Sequence, residues 1–153
     1  MAKARSSPVP VTYLDACVYL EAITMQMPKR GEIAKSLLTG VEHGDIKVVV
    51  SEIIRVEVRG KDTEANRLTT DMLKRTGYEW VPVSRPVAEL ARELGIQFSG
   101  LQAADAVHIA TARLRGAEQV MTWDQELLKL DKRAGIQIIE PTQIGQGRLD
   151  VTT

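Results

Sequence analysis

Four acidic side chains stand where they could do chemistry: Asp15 directly after the apolar run VTYL, Asp124 after VMTW, Asp105 inside AADAVHIATA, and Glu57, or its neighbour Glu52, in SEIIRVEVRGK. Asp15 and Asp124 each follow a short apolar run of strand character, and in a parallel α/β sheet ligands bind beyond the carboxyl ends of the strands. The ordinary alternative for either is a helix N-cap, accepting a bond from a free backbone N–H. Asp105 is harder to explain structurally. Its stretch is apolar on nearly every side, so burial would penalise the charge unless it is compensated, and no Lys or Arg lies three or four residues away. The structural alternative there is a pair with His108, three residues on, or bonds to a passing backbone. For Glu57 the alternative is an exposed pair with Lys61, and for Glu52 a favourable charge at the positive end of a helix. The physical chemistry does not separate these two glutamates.

Carboxylates gathered at one sheet edge repel one another, and they take up protons unless a cation holds them ionised. Oxygen donors without Cys, and with the two histidines not paired on one helix, favour Mg²⁺ or Mn²⁺ over Zn²⁺. Such an ion also binds phosphate oxygens and lets an acidic cleft accept a polyanion. Phosphodiester hydrolysis is the reaction this chemistry suits.

Other chemistries lack their residues. The chain has no GxGxxG after its first strand, no GK[ST] phosphate loop and no GxSxG elbow, which leaves nucleotide-cradling and serine-hydrolase readings unsupported. An aspartyl-phosphate mechanism would also place Asp after the first strand, but Cys17 stands where the dehalogenase-like phosphatases carry a second acid. Twenty basic against twenty acidic residues give no net charge, so no global attraction draws the chain to nucleic acid or membrane. The lone Cys17 excludes an internal disulfide and fits a reducing compartment. Met1 to Pro10 is not followed by an apolar stretch of signal-peptide length, and no segment is long and apolar enough to span a bilayer, so a cytoplasmic location is expected.

The elements that must position these acids follow from apolar patterning. At 153 residues with 44% apolar content, the chain supports a single core. One domain is expected over residues 9–141, with flexible terminal segments at 1–8 and 142–153. Short apolar runs suited to buried parallel strands alternate with segments of helical period, which predicts a parallel α/β sheet of four to five strands covered by helices on both faces. The expected strands are Val11–Leu14, Lys47–Val50, Glu79–Val81, Gln119–Met121 and Gln137–Ile139. The expected helices are Ala16–Met25, Lys29–His43, Glu52–Arg59 with a buried face of Ile53, Ile54, Val56 and Val58, Asp62–Arg75, Pro86–Leu94, Leu101–Arg115 and Gln125–Lys132. Ser99 and Gln102 have capping-box spacing, and Gly95 and Gly116 are placed to follow helix ends.

Four segments in order, YLDACVYLEA, VSEIIRVEV, LQAADAVHIATA and VMTWDQEL, make the stretch from Val11 to Glu140 resemble the PIN-domain nucleases, and among them the small ribonuclease toxins of the VapC type. The resemblance implies a PIN-like fold in which Asp15, Glu57, Asp105 and Asp124 surround one or two Mg²⁺ or Mn²⁺ ions and cleave RNA. It selects Glu57 over Glu52, because the family's acid follows the helix-start Ser by several residues. It implies supporting roles for Ser51 and Thr122, a small cognate antitoxin, and a homodimer. Arg55, Arg59 and Lys61 form a basic set near Glu57 suited to phosphate contacts or, equally, to a solvated helix face. Three positions depart from the family: Ala16 and Cys17 follow Asp15 where Thr, Ser or Asn is common, and Trp123 precedes the last acid, where its size favours packing. A non-catalytic module that keeps the fold for RNA or protein binding is the competing reading.

Overall fold

Val48, Val49 and Val50 show why the sheet forms: three consecutive β-branched residues, all buried, with Val48 and Val50 in one apolar cluster and Val49 in the other. A strand that buries both faces needs such a run, and each successive side chain crosses to the opposite side. The computed structural model describes residues 9–142. It contains strands β1 (Val11–Leu14), β2 (Lys47–Ser51), β3 (Tyr78–Val81), β4 (Gln119–Met121) and β5 (Gln137–Ile139), all parallel, in the order β3-β2-β1-β4-β5.

Helices cover both faces. α1 (Ala16–Thr24), α2 (Pro28–Glu42) and α4 (Thr63–Leu73) pack on the side of Leu14, Val48 and Val50. α5 (Arg85–Gln97), α6 (Ala103–Leu114) and α7 (Gln125–Leu128) pack on the side of Tyr13, Val49 and Val120. A single-turn helix, α3 (Ile54–Glu57), follows β2. The chain builds outward from β1 to β3, then crosses back to add β4 and β5 on the other side of β1. The order therefore reverses between β1 and β4, where Leu14 pairs with Met121, and a crevice is expected at the carboxyl ends of such a pair. Asp15 begins there, its N–H donating to the Met121 carbonyl at 3.0 Å.

The five expected strands are present, with ends moved by at most one residue. The helices depart more. The segment expected as Glu52–Arg59 is helical only over Ile54–Glu57, because β2 extends to Ser51, the Glu52 N–H still bonds the Val81 carbonyl, and Val58 has left helical geometry. Its buried face shrinks to Ile54 and Val58, one turn apart, while Ile53 is half-buried and Val56 is 63% exposed. α7 stops at Leu128 rather than Lys132, since Lys132 adopts a positive φ of 65° and Asp131 turns to accept from the Ile138 N–H, steering the chain into β5. The Ser99 to Gln102 capping box does not form: Gly100 turns at φ 92° and Gln102 itself is the uncapped start of α6. Gly95 lies within α5, which continues to Gln97, whereas Gly116 closes α6 in the left-handed region as expected. The segments expected to be flexible, 1–8 and all of 142–153 except Thr142, lie outside the described residues.

Candidate metal centre

Asp15 is held from three directions. As the N-cap of α1 its Oδ1 accepts from the Ala16 N–H at 2.8 Å, and its Oδ2 accepts from the Thr122 hydroxyl at 2.8 Å and faces the Cys17 thiol at 3.6 Å. The capping role and a functional one are thus carried by the same side chain, 7% exposed. Thr122, fully buried just past β4, also accepts from the Asp124 N–H at 3.0 Å, so one hydroxyl ties together the residues that leave β1 and β4. Ala16 and Cys17 bring no hydroxyl to Asp15, and the one that meets it comes from Thr122 across the crevice. Burial, and then the charge of Asp15, push the Cys17 thiol up to about 11, so it faces Asp15 as a neutral S–H.

The first turn of α6 carries Asp105, and His108 follows on the same face, fully buried. His108 does not hydrogen-bond Asp105. Its Nδ1 meets the Tyr13 hydroxyl from β1, and its Nε2 donates to Glu57 Oε1 at 2.5 Å. Burial, with the charges of Asp15 and Glu57, keeps the Tyr13 phenol well above its ordinary pKa against the lowering contacts of Ser51. The phenol therefore keeps its proton and donates to Nδ1, which leaves the Nε2 proton for Glu57. This chain also fixes Glu57, whose carboxylate makes no pair with Lys61.

Asp15, Asp105 and His108 each present a ligand atom within 4.8 Å of the others, and His108 Nε2 lies 3.6 Å from Asp15 Oδ1. Since both ring nitrogens are already bonded, the donors left for a cation are carboxylate oxygens. No Lys or Arg forms a salt bridge with these acids among the described residues. The consequence shows at Asp105, half-buried, whose pKa rises from 3.8 to about 6 through burial first and then the charge of Asp15, with Asp124 and Glu57 adding smaller contributions. His108 opposes the shift without cancelling it. An oxygen-donor set under mutual repulsion, without a resident counter-charge, fits Mg²⁺ or Mn²⁺.

Of the sequence candidates, Asp15, Glu57 and Asp105 come together around His108. Asp124 is exposed at the edge, its Oδ1 capping α7 through the Glu126 N–H at 2.8 Å, yet close enough for its charge to be felt at Asp105. Ser51 is buried and accepts from the Ile53 N–H at 3.2 Å. Arg55 is drawn to Glu52 at 2.6 Å and lies over the Trp80 ring, 3.8 Å from its centroid, whereas Arg59 and Lys61 are exposed. Trp123 packs into the core, 8% exposed, with Arg30 over its ring. Sequence reasoning missed Tyr13 and His108 as members of the site. The available signal is the i,i+3 spacing of Asp105 and His108, which puts both on one helix face toward one centre; the pair between them, the structural alternative for Asp105, does not form.

A family model for the PIN domain matches residues 12–133. Three of the solved structures similar in fold can be named. They are VapBC2 from Rickettsia felis bound to a DNA fragment from its promoter (TM-score 0.59, 19% identity, 85% of this chain and 97% of that one), FitAcB from Neisseria gonorrhoeae (0.62, 20%, 85% and 97%) and a toxin-antitoxin complex from Klebsiella pneumoniae (0.63, 21%, 87% and 99%). A search of curated proteins finds no match. No helix among the described residues is long and apolar enough to cross a membrane.

Proposed function

This chain belongs to the PIN domain family, and on that premise we propose that it is a Mg²⁺- or Mn²⁺-dependent endoribonuclease, the toxin of a type II toxin-antitoxin module that works in the cytoplasm as a homodimer restrained by a small antitoxin. The observation that carries the nuclease reading is the convergence of Asp15, Glu57 and Asp105, from three separate segments, around His108, with no Lys or Arg bridged to them among the described residues. The similar structure from Klebsiella pneumoniae, itself a toxin-antitoxin complex, supports the toxin reading.

Asp15 and Asp105 would hold the metal, with Asp124 contributing from the rim through water. When bound, the metal supplies a water acidic enough to attack phosphorus and a positive charge for the departing oxygen. Glu57, its carboxylate oriented by His108, positions the attacking water and receives its proton. Thr122 keeps Asp15 in one rotamer, and the buried Tyr13 hydroxyl keeps His108 in one tautomer. Arg59 and Lys61 supply contacts to the RNA backbone, which position the strand without reading it.

The test is incubation of the purified protein with structured RNAs and Mn²⁺, with and without EDTA, beside Asp105→Asn. Cleavage should vanish in EDTA and in the variant. Cleavage that survives both would reject the mechanism. Mn²⁺ binding indifferent to Asp15→Asn and Asp105→Asn would point to a binding module that has kept the fold.

A further inference from the structure

The chain's two tryptophans, Trp80 in β3 and Trp123 just past β4, both pack on the α1, α2 and α4 side of the sheet, and β1 with Asp15 at its end lies between their strands. Each carries an arginine over its ring, and the two pairs are completed differently. Arg55, 3.8 Å from the Trp80 centroid, is held by Glu52 at 2.6 Å, so the chain itself answers its charge. Arg30, 5.2 Å from the Trp123 centroid, forms a salt bridge with no carboxylate among the described residues.

Position ties Arg30 to the candidate metal centre. Trp123 stands between Thr122, whose hydroxyl donates to Asp15 at 2.8 Å, and Asp124, whose charge is felt at Asp105. Its ring is buried, which makes it a fixed platform. Arg30 is half-buried in the first turn of α2, and that turn is pinned where the Met27 N–H donates to the Glu21 carboxylate at 2.9 Å. The helix gains nothing from a cation there. Its N-terminal end carries positive partial charge, its first turn holds no acid, and Lys29 already precedes Arg30. Stacking on Trp123 occupies one face of the guanidinium and leaves its N–H edge, a planar fork that matches phosphate or carboxylate, for an anion from outside. Arg59 and Lys61 follow α3, and so stand on the β2 side of Asp15, opposite Arg30 on the β4 side.

We infer that Arg30, held on the Trp123 ring, is a substrate-positioning residue that grips the phosphate next to the scissile one on the β4 side of Asp15. A strand whose scissile phosphate lies at Asp15 and Asp105 brings a second phosphate beside an acidic centre, and that phosphate needs a cation of its own. The assignment rests on the nuclease reading for its substrate, and the experiment separates the two. Binding of a fluorescein-labelled octaribonucleotide to the intact protein is measured by anisotropy in EDTA across a salt series, and cleavage of the same RNA is measured in Mn²⁺. Arg30→Ala should raise KM about tenfold with kcat little changed, and should reduce the slope of log affinity against log salt by about 0.7, the share of one phosphate on a single strand. Arg30→Lys keeps the charge and loses the fork, so it should restore the slope and only part of the affinity. One neutral methylphosphonate linkage, with the adjoining 2′-hydroxyl methylated, is then placed on either side of the cleaved bond. On one side it should cost the wild type about as much as Arg30→Ala does, and cost Arg30→Ala nothing further. Arg30→Ala protein that loses stability in urea but keeps its KM, salt slope and methylphosphonate response would make Arg30 a cover for Trp123 and overturn the assignment. So would an acidic peptide whose binding needs Arg30 while RNA binding does not. RNA binding whose salt slope depends on Arg30 in a protein that cleaves nothing would keep the contact and sink the nuclease.

Discussion

Helix α4 and the carboxyl end of the sheet both gather acidic side chains, and they settle the charge in opposite ways. On α4, Glu64 and Asp71 flank Arg67 at 2.7 and 3.4 Å, all three well exposed, and the bond to Arg67 lowers the pKa of Glu64. At the sheet end Asp15, Glu57 and Asp105 share one histidine, and the pKa of Asp105 rises to about 6. The surface acids of α4 stand beside a cation about one turn away on the same helix. Those at the sheet end come from three segments, and among the described residues no Lys or Arg forms a salt bridge with them, which is the arrangement expected where the counter-charge arrives from outside.

The sharpest way to break this contrast is to neutralise one acid of the centre. Asp15→Asn or Asp105→Asn should lower RNA cleavage in Mn²⁺ by more than about a hundredfold, since even residues that merely orient metal ligands cost about 10–100-fold when removed. Retained cleavage in either variant would place the two regions in the same class. Removing the shared histidine comes next. His108→Leu leaves the buried Tyr13 hydroxyl and the Glu57 carboxylate without their partner, and each such loss costs about 1–3 kcal/mol. Urea denaturation should show that loss, and cleavage should fall about 10–100-fold. A smaller effect is expected from Thr122→Val, which keeps the shape but removes the hydroxyl bonded to Asp15 and to the Asp124 N–H. It should cost about 1 kcal/mol in urea and lower cleavage without abolishing it.

How much of this was legible in the sequence depends on how far each interaction reaches. The strands were, because burial on both faces demands contiguous apolar runs such as KVVV, and so were the positions of Asp15, directly after β1, and of Asp124, three residues after β4. The partners of His108 were not, since Tyr13 and Glu57 lie 95 and 51 residues away along the chain. The same reach separates the two glutamates: Glu52 turns to Arg55 within its own turn, whereas Glu57 accepts from another helix. The shortness of α3 was hidden for a similar reason, as it depends on Ser51 pairing with Val81 of β3.

The contrast also has a pH signature. Because folding raises the Asp105 pKa from 3.8 to about 6, the native state holds that proton more tightly than the unfolded chain. Its favourable contribution is therefore complete below 3.8 and is lost as pH rises through about 6. In metal-free protein the urea midpoint of the wild type should fall relative to Asp105→Asn across that window and level off above it. Mn²⁺ should restore the wild type and leave the variant unmoved. Parallel curves without metal would mean that Asp105 is already compensated.

The smallest effect is expected on α4, and it is what gives the others their meaning. Arg67→Ala removes the cation from Glu64 and Asp71, yet all three side chains lie in water, where solvent and salt screen the charges and ordering the side chains offsets the attraction. Water solvates both carboxylates whether or not Arg67 is present. The urea midpoint should not shift measurably at physiological ionic strength, Mn²⁺ should have no specific effect on the variant, and RNA cleavage should match the wild type. A clear loss of stability that persists in high salt would show that paired surface acids here depend on their arginine as strongly as the sheet-end acids depend on a metal, and the distinction between the two regions would no longer identify the site.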